Sequence, residues 1–188
     1  MASTHAPGEW RPIIAALVIY TVVGFVLGVF AAFLVIYSGT FNVAATVKDS
    51  APLRWVLITA REASVRRHAR TVELPQLGGR QQVENGFRFF RDQCAMCHTP
   101  PGGQPTMMSE GLNPQAPPLA ELVSDMNDAE LFWVTKNGIR FTGMPAWTLS
   151  HKDQDIWSVV AFMRGASTMQ AADYKVLDQR LSGPPDSK

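Results

Sequence analysis

Residues 94–98 read Cys94-Ala95-Met96-Cys97-His98. Two thiols one helical turn apart, followed directly by a histidine, give the C-x-x-C-H spacing of c-type haem attachment. Each thiol can form a thioether to a vinyl group of the macrocycle. His98 is then held beneath the iron and can supply an imidazole nitrogen as proximal ligand. Two other chemistries use paired cysteines: a redox disulfide and half of a zinc site. A tetrahedral zinc site needs further Cys or well-placed His, and Cys94 and Cys97 are the only cysteines in the chain. A thioredoxin-like motif sits in a βαβ pattern, which this sequence lacks. The expectation is one covalent haem c per chain, because the motif occurs once.

Around this motif, residues 81–188 read as an all-α haem domain with a C-terminal tail. A helix from about Val83 to Met96 places Gly86, Phe90 and Cys94 on one face. Glycine permits another helix to approach closely, and Phe90 would cover the haem edge or that crossing. Residues 99–120 are rich in Pro and Gly, without periodicity, and read as a loop wrapping the haem edge. Within it, Ala116-Pro117-Pro118-Leu119 sits where a backbone carbonyl, assigned to Pro117, can receive the Nδ1–H of His98 and orient the ring. Asn127-Asp128-Ala129-Glu130 is a capping-box start, with a short helix to Lys136 ended by Asn137-Gly138. The last main helix begins at Ser150-His151-Lys152-Asp153 and runs to Arg164, and should cross the Gly86–Phe90 helix. His151 reads as a surface residue. Residues 170–181 add a short helix, and Gly183 onward is a polar tail.

A second iron ligand is sought opposite His98. Met144 lies between Gly143 and Pro145 on a stiff, non-helical stretch, and Met/His ligation is common in electron-transfer cytochromes. Core filling is the usual fate of a methionine, and Met96, Met107, Met108, Met126 and Met163 compete for the role. Met96 is inside the attachment motif and cannot reach the opposite face. Met163 lies on the last helix, and the loop carrying Met107 and Met108 gives no fixed geometry. His5 and His68, in the N-terminal tail and the connector, are not expected as ligands.

Further out, residues 13–37 carry no charge. A helix of that length spans ~37 Å, more than the ~30 Å hydrocarbon core of a bilayer. The run is far longer than the h-region of a cleaved signal peptide, and the preceding polar tail, residues 1–12, offers only Arg11 against Glu9. An uncleaved transmembrane anchor follows. Gly24 and Gly28 form a G-x-x-x-G pair, a weak helix-packing signal. The charge rule alone would put Lys48, Arg54, Arg61, Arg66, Arg67 and Arg70 on the cytoplasmic side. Haem attachment requires the opposite side, and that covalent requirement outweighs a statistical bias.

Residues 38–80 read as a basic helical connector, with a helix from Pro52 to Arg70 ended by Pro75 and Gly78-Gly79. Residues 1–80 hold eight Lys/Arg against four Asp/Glu, and residues 81–188 hold nine against twelve. The membrane-proximal part is therefore basic and the haem domain mildly acidic. The connector can rest on anionic lipid or on a partner subunit, or serve as a solvated linker. A net charge of +1 and 18% charged residues give no sign of a nucleic-acid binder.

Gly86, Phe90, Cys94-x-x-Cys97-His98 and Gly143-Met144-Pro145-Ala146-Trp147, followed by a C-terminal helix, resemble class I cytochrome c. The Met-Pro-Ala-Trp ending is similar to membrane-anchored bacterial cytochromes of the cbb3-type-subunit kind. The resemblance covers roughly residues 81–166. It implies an all-α fold around one haem, one-electron transfer, thioethers at Cys94 and Cys97, and axial ligands His98 and Met144. The family often has Gly-Pro before the carbonyl that supports the histidine, and here Ala116-Pro117 stands there. The expected protein is an electron carrier rather than an enzyme, single-pass in the bacterial cytoplasmic membrane with its haem domain in the periplasm. Its expected partners are membrane lipid and a membrane-bound redox complex: a quinol–cytochrome c oxidoreductase, a dehydrogenase or a terminal oxidase. A fixed subunit of a multi-subunit membrane complex, and a haem enzyme or gas sensor with an open iron site, are the rival readings.

Overall fold

The computed structural model describes residues 10–182, which contain helices and no strand. Of the tails expected at residues 1–12 and from Gly183 onward, residues 1–9 and 183–188, including His5, lie outside the described residues, and residues 10–12 belong to the first helix. The chain divides into two compact units, the first ending at Val47 and the second beginning at Lys48.

The first unit is built on α1 (Trp10–Tyr37). Its apolar side chains are exposed all round, and none is buried. A helix with no polar face has no stable place in water, and α1 is long and apolar enough to cross a membrane. It fits a single-pass anchor.

The second unit holds α2 (Ala51–Ala69), α3 (Arg80–Phe89), α4 (Met107–Glu110), α5 (Leu119–Asp125), α6 (Asp128–Asn137), α7 (Asp153–Ala166) and α8 (Ala171–Leu181). Its centre is the crossing of α3 and α7. A Cβ on Gly86 would stand 1.8 Å from the backbone oxygen of Ser158 and 2.9 Å from Cβ of Phe162. Only glycine lets the two backbones come this close. Phe87 and Phe90 close over the contact from α3, each with its ring centroid 5.4 Å from that of Phe162. All three side chains are fully buried, with Ile156, Val159 and Val160. Phe90 thus seals the helix crossing.

The remaining helices are fixed by a local cap, by arginine contacts between elements and by packing. Asn127 and Glu130 form a reciprocal capping box at the start of α6: Glu130 N–H donates to Asn127 Oδ1 (3.0 Å) and Asn127 N–H to Glu130 Oε2 (2.9 Å). Arg164 on α7 reaches back to the α5–α6 corner, donating to Asp128 Oδ1 and to the carbonyls of Val123 and Met126. Arg88 and Arg91 donate to the carbonyl of Leu181, an acceptor left free at the end of α8. α2 packs on α6 through its C-terminal half, where Val65 and Ala69 are buried and the His68 ring stacks on Trp133 at 5.2 Å.

Candidate functional site

The α3 helix does not continue unbroken to Met96. It ends at Phe89, and residues 90–94 form a π-helical turn closed by Ala95 N–H donating to Phe90 O (2.9 Å). Such a turn holds one more residue than an α-turn. Cys94 is therefore displaced from the face that an unbroken helix would share with Gly86 and Phe90. Phe90 stays fully in the α3–α7 contact, while Cys94 is only half-buried. The next turn is tight: Cys97 N–H and His98 N–H both donate to Cys94 O, at 3.0 and 2.8 Å. The two sulfurs and the imidazole thus leave the chain from a single turn.

His98 Nδ1 lies 2.8 Å from Pro117 O. The carbonyl can only accept, so Nδ1 carries the proton and Nε2 is left as a lone-pair donor. Burial pushes the His98 pKa down, partly opposed by this hydrogen bond, so the ring is held neutral. The loop that delivers Pro117 is pinned where Leu119 N–H donates to Thr99 O (3.2 Å). Burial, with the neighbouring Cys97, pushes the Cys94 thiol up to about 12. A redox-active thiol needs the opposite shift. Among the described residues no group of three or more His, Cys, Asp and Glu could hold a metal ion, which leaves the zinc alternative without ligands.

Met144 sits in a separate turn that the chain fixes from both sides. Its N–H donates to Thr142 Oγ1 (3.1 Å), and its carbonyl accepts from Ile139 N–H (3.2 Å). The Thr142 hydroxyl in turn donates to Ile139 O (2.8 Å). Gly138 begins the turn at φ +66°, and a Cβ there would meet Met144 O at 2.7 Å. Leu112 packs on Gly143, where a Cβ would stand 2.6 Å from its Cδ2. Thr106 donates to Met96 O and caps α4 by accepting from Ser109 N–H (3.1 Å). The segment 106–112 therefore touches both the attachment turn and the Met144 turn.

Thr106, Leu112, Thr142 and Gly138 are supports that the sequence reading passed over. A Thr two residues before Met144 is a recognisable side-chain turn signal, whereas the Leu112 contact has no local signature. His151 departs from the surface position expected for it. It is half-buried, its ring 4.5 Å from Phe89 and 5.6 Å from Trp147. Phe89 and Trp147 also meet edge to face at 5.4 Å.

A helical domain with a Cys-x-x-Cys-His turn on one chain segment and a pinned methionine turn on another defines the class of c-type haem proteins. Residues 81–163 match the family model described as cytochrome C oxidase, cbb3-type, subunit III, so this region is similar to a cbb3-type cytochrome c domain. No curated protein matches the chain. A domain of this family implies a c-type haem and a role in haem-based electron transfer.

Proposed function

We propose that the chain is a membrane-anchored monohaem cytochrome c. It passes single electrons between a membrane-bound respiratory donor and a terminal oxidase or other acceptor. α1 would tether it in the bacterial cytoplasmic membrane, with the haem domain in the periplasm, the side on which c-type haem is normally attached. Quinol–cytochrome c oxidoreductases, dehydrogenases and terminal oxidases are the partners of suitable chemistry.

The observation that carries this reading is the His98–Pro117 contact. It fixes the tautomer and frees Nε2 on the turn that also presents Cys94 and Cys97. That donor set fits a c-type haem. Cys94 and Cys97 would hold it by thioethers, His98 would be the proximal ligand and Met144 the distal one. When bound, the haem supplies a ferric/ferrous one-electron couple. The protein's own work is to keep His98 neutral and oriented, to hold Met144 and to exclude water through the α3–α7 core.

The test is direct. Acid-acetone should leave the haem on the protein, and pyridine haemochrome analysis should return one haem per chain. Met144→Ala should lower the reduction potential, abolish the weak far-red ferric absorption that marks a Met–Fe bond, and open the ferrous form to carbon monoxide. Met107→Ala and Met108→Ala should change none of these. Retention of the wild-type potential and absorption in Met144→Ala would assign the sixth ligand elsewhere and reopen the enzyme or sensor reading.

A second reading is favoured by the description of the matching family model as an oxidase subunit. The chain would then be a fixed component of a multi-subunit membrane complex. Gentle detergent extraction followed by size analysis separates the two: a tethered carrier runs alone, a subunit runs with its complex.

A further inference from the structure

The two halves of α2 differ in kind. The C-terminal half packs on α6. The N-terminal half, residues 51–60, has no buried residue, yet it carries Leu53, Trp55, Val56, Leu57 and Ile58. Trp55 is 67% exposed and Val56 51%. At the angular spacing of an α-helix, Leu53, Val56, Leu57 and Ala60 share one side, while Trp55 and Ile58 point elsewhere. The run is therefore apolar nearly all round, interrupted only by Arg54 and Thr59. A helix of that character is normally buried, and a contiguous exposed apolar surface marks a place where something else covers it.

We infer that the first turns of α2, residues 53–58, rest in the interfacial layer of the lipid bilayer and form a second membrane contact of the chain. The inference rests on the reading of α1 as a membrane span. Three observations select lipid over a protein groove. First, besides the stripe of Leu53, Val56, Leu57 and Ala60 that a groove could take, Trp55 and Ile58 leave the opposite side apolar as well, and a groove would leave that side in water. Second, residues 38–50, even fully extended, reach only ~45–50 Å, so a spanning α1 keeps these turns within that distance of a membrane. Third, the charge that follows is of the right sign. Arg61, Arg66, Arg67 and Arg70 come directly after the apolar turns with Glu62 as the only acid among them. Two of the four, Arg61 and Arg66, have their charge partner in that same Glu62. Anionic headgroups complement such a stretch, and Trp55 is the residue type that prefers the interface. Because the other half of α2 packs on α6, a membrane-held α2 would also restrict how the haem domain turns above the surface, which bears on the face it offers to redox partners.

The experiment uses the full-length, haem-loaded chain in nanodiscs of mixed phosphatidylcholine and phosphatidylglycerol. With Cys94 and Cys97 consumed by thioethers, an introduced cysteine is the only free thiol. Nitroxide labels are placed one at a time at Val56→Cys, Trp55→Cys, Val176→Cys on α8 and Phe25→Cys in the middle of α1. Relative accessibility to oxygen and to a water-soluble nickel complex reports depth. The ratio is expected to be several-fold higher at 56 and 55 than at 176, which is itself apolar and 65% exposed. It should be higher still at 25. Labels at 55 and 56 matching the aqueous value at 176, with 25 in hydrocarbon, overturn this contact and leave the anchor standing. So does shielding of 55 and 56 from both reagents, which would mean a protein contact. An aqueous label at 25 removes the anchor and this inference with it.

Discussion

The α3–α7 crossing and the loops that carry Pro117 and Met144 are built on opposite principles. At the crossing, three phenylalanines and three aliphatic residues are fully buried around a glycine contact. Its specificity comes from many small van der Waals terms that act together. The loops have almost none of this. Met144 is half-buried, Pro117 is exposed, and each is positioned by one or two hydrogen bonds. The difference separates two jobs. The crossing supplies a rigid base for the attachment turn, and the loops set the orientation of single atoms.

The harshest way to break the comparison is Gly86→Ala. The new Cβ would fall 1.8 Å from the backbone oxygen of Ser158. Backbone cannot rotate aside as a side chain can, so α3 and α7 must separate. The expected loss is about 4 kcal/mol or more, at the upper end of single-substitution effects. Denaturant titration of the haem-loaded protein measures it. A loss under about 1 kcal/mol would mean that the crossing is far looser than its geometry indicates.

Gly138→Ala acts on the other side of the comparison. Alanine is strained at φ +66°, and its Cβ would press on Met144 O and Pro145 C, both at 2.7 Å. A cost of roughly 2 kcal/mol is expected from strain and displacement together. The informative result is spectroscopic. The Met–Fe absorption should weaken or disappear while far-ultraviolet circular dichroism keeps the helical signal. Loss of both signals together would show that the Met144 turn and the helical core are one cooperative unit.

The same contrast explains what could be read in the sequence. The all-α class, the apolar N-terminal helix, the Asn127 capping box and the Gly86 crossing follow from local rules, and the described residues carry them. The π-turn at 90–94 does not follow from such rules. Nothing in Phe90-Arg91-Asp92-Gln93-Cys94 breaks a helix, and the extra residue is accommodated because Phe90 is locked by Phe162 while Cys94 must open the attachment turn. α4 falls inside residues 99–120, expected as a loop, and α5 starts at the end of that stretch. They are short, four and seven residues, and α5 follows directly on Pro117-Pro118, which masks its start. The connector helix showed only fair periodicity because its two halves differ: the C-terminal half packs on α6, and the N-terminal half has no buried residue. Of the site, the motif and its histidine were legible by spacing. Leu112 was not, because the fold brings it to Gly143 from a distant position, whereas Gly138 and Thr142 act within a few residues of Met144 and left a local turn signal.

The smallest expected effect is at Phe141, and it sharpens the comparison most. Phe141 stands at φ +61° with 79% of its surface exposed. A bulky residue in the left-handed region is strained by about 1–3 kcal/mol. Exposure on this scale means that little burial offsets that strain. Phe141→Gly removes the strain, while the greater freedom of glycine in the unfolded chain takes back roughly 0.5–1 kcal/mol. The variant should therefore be neutral or up to about 1 kcal/mol more stable, with the Met–Fe absorption unchanged. Denaturation midpoints of the two haem-loaded proteins, at equal denaturant slope, decide it. A destabilisation beyond about 1 kcal/mol would show that the Phe141 ring packs in the loaded protein. A neutral or stabilising result would show that the chain carries an exposed ring at a conformational cost three residues before Met144. Folding then gives no reason for the ring, and contact with a partner at the site becomes the role to test.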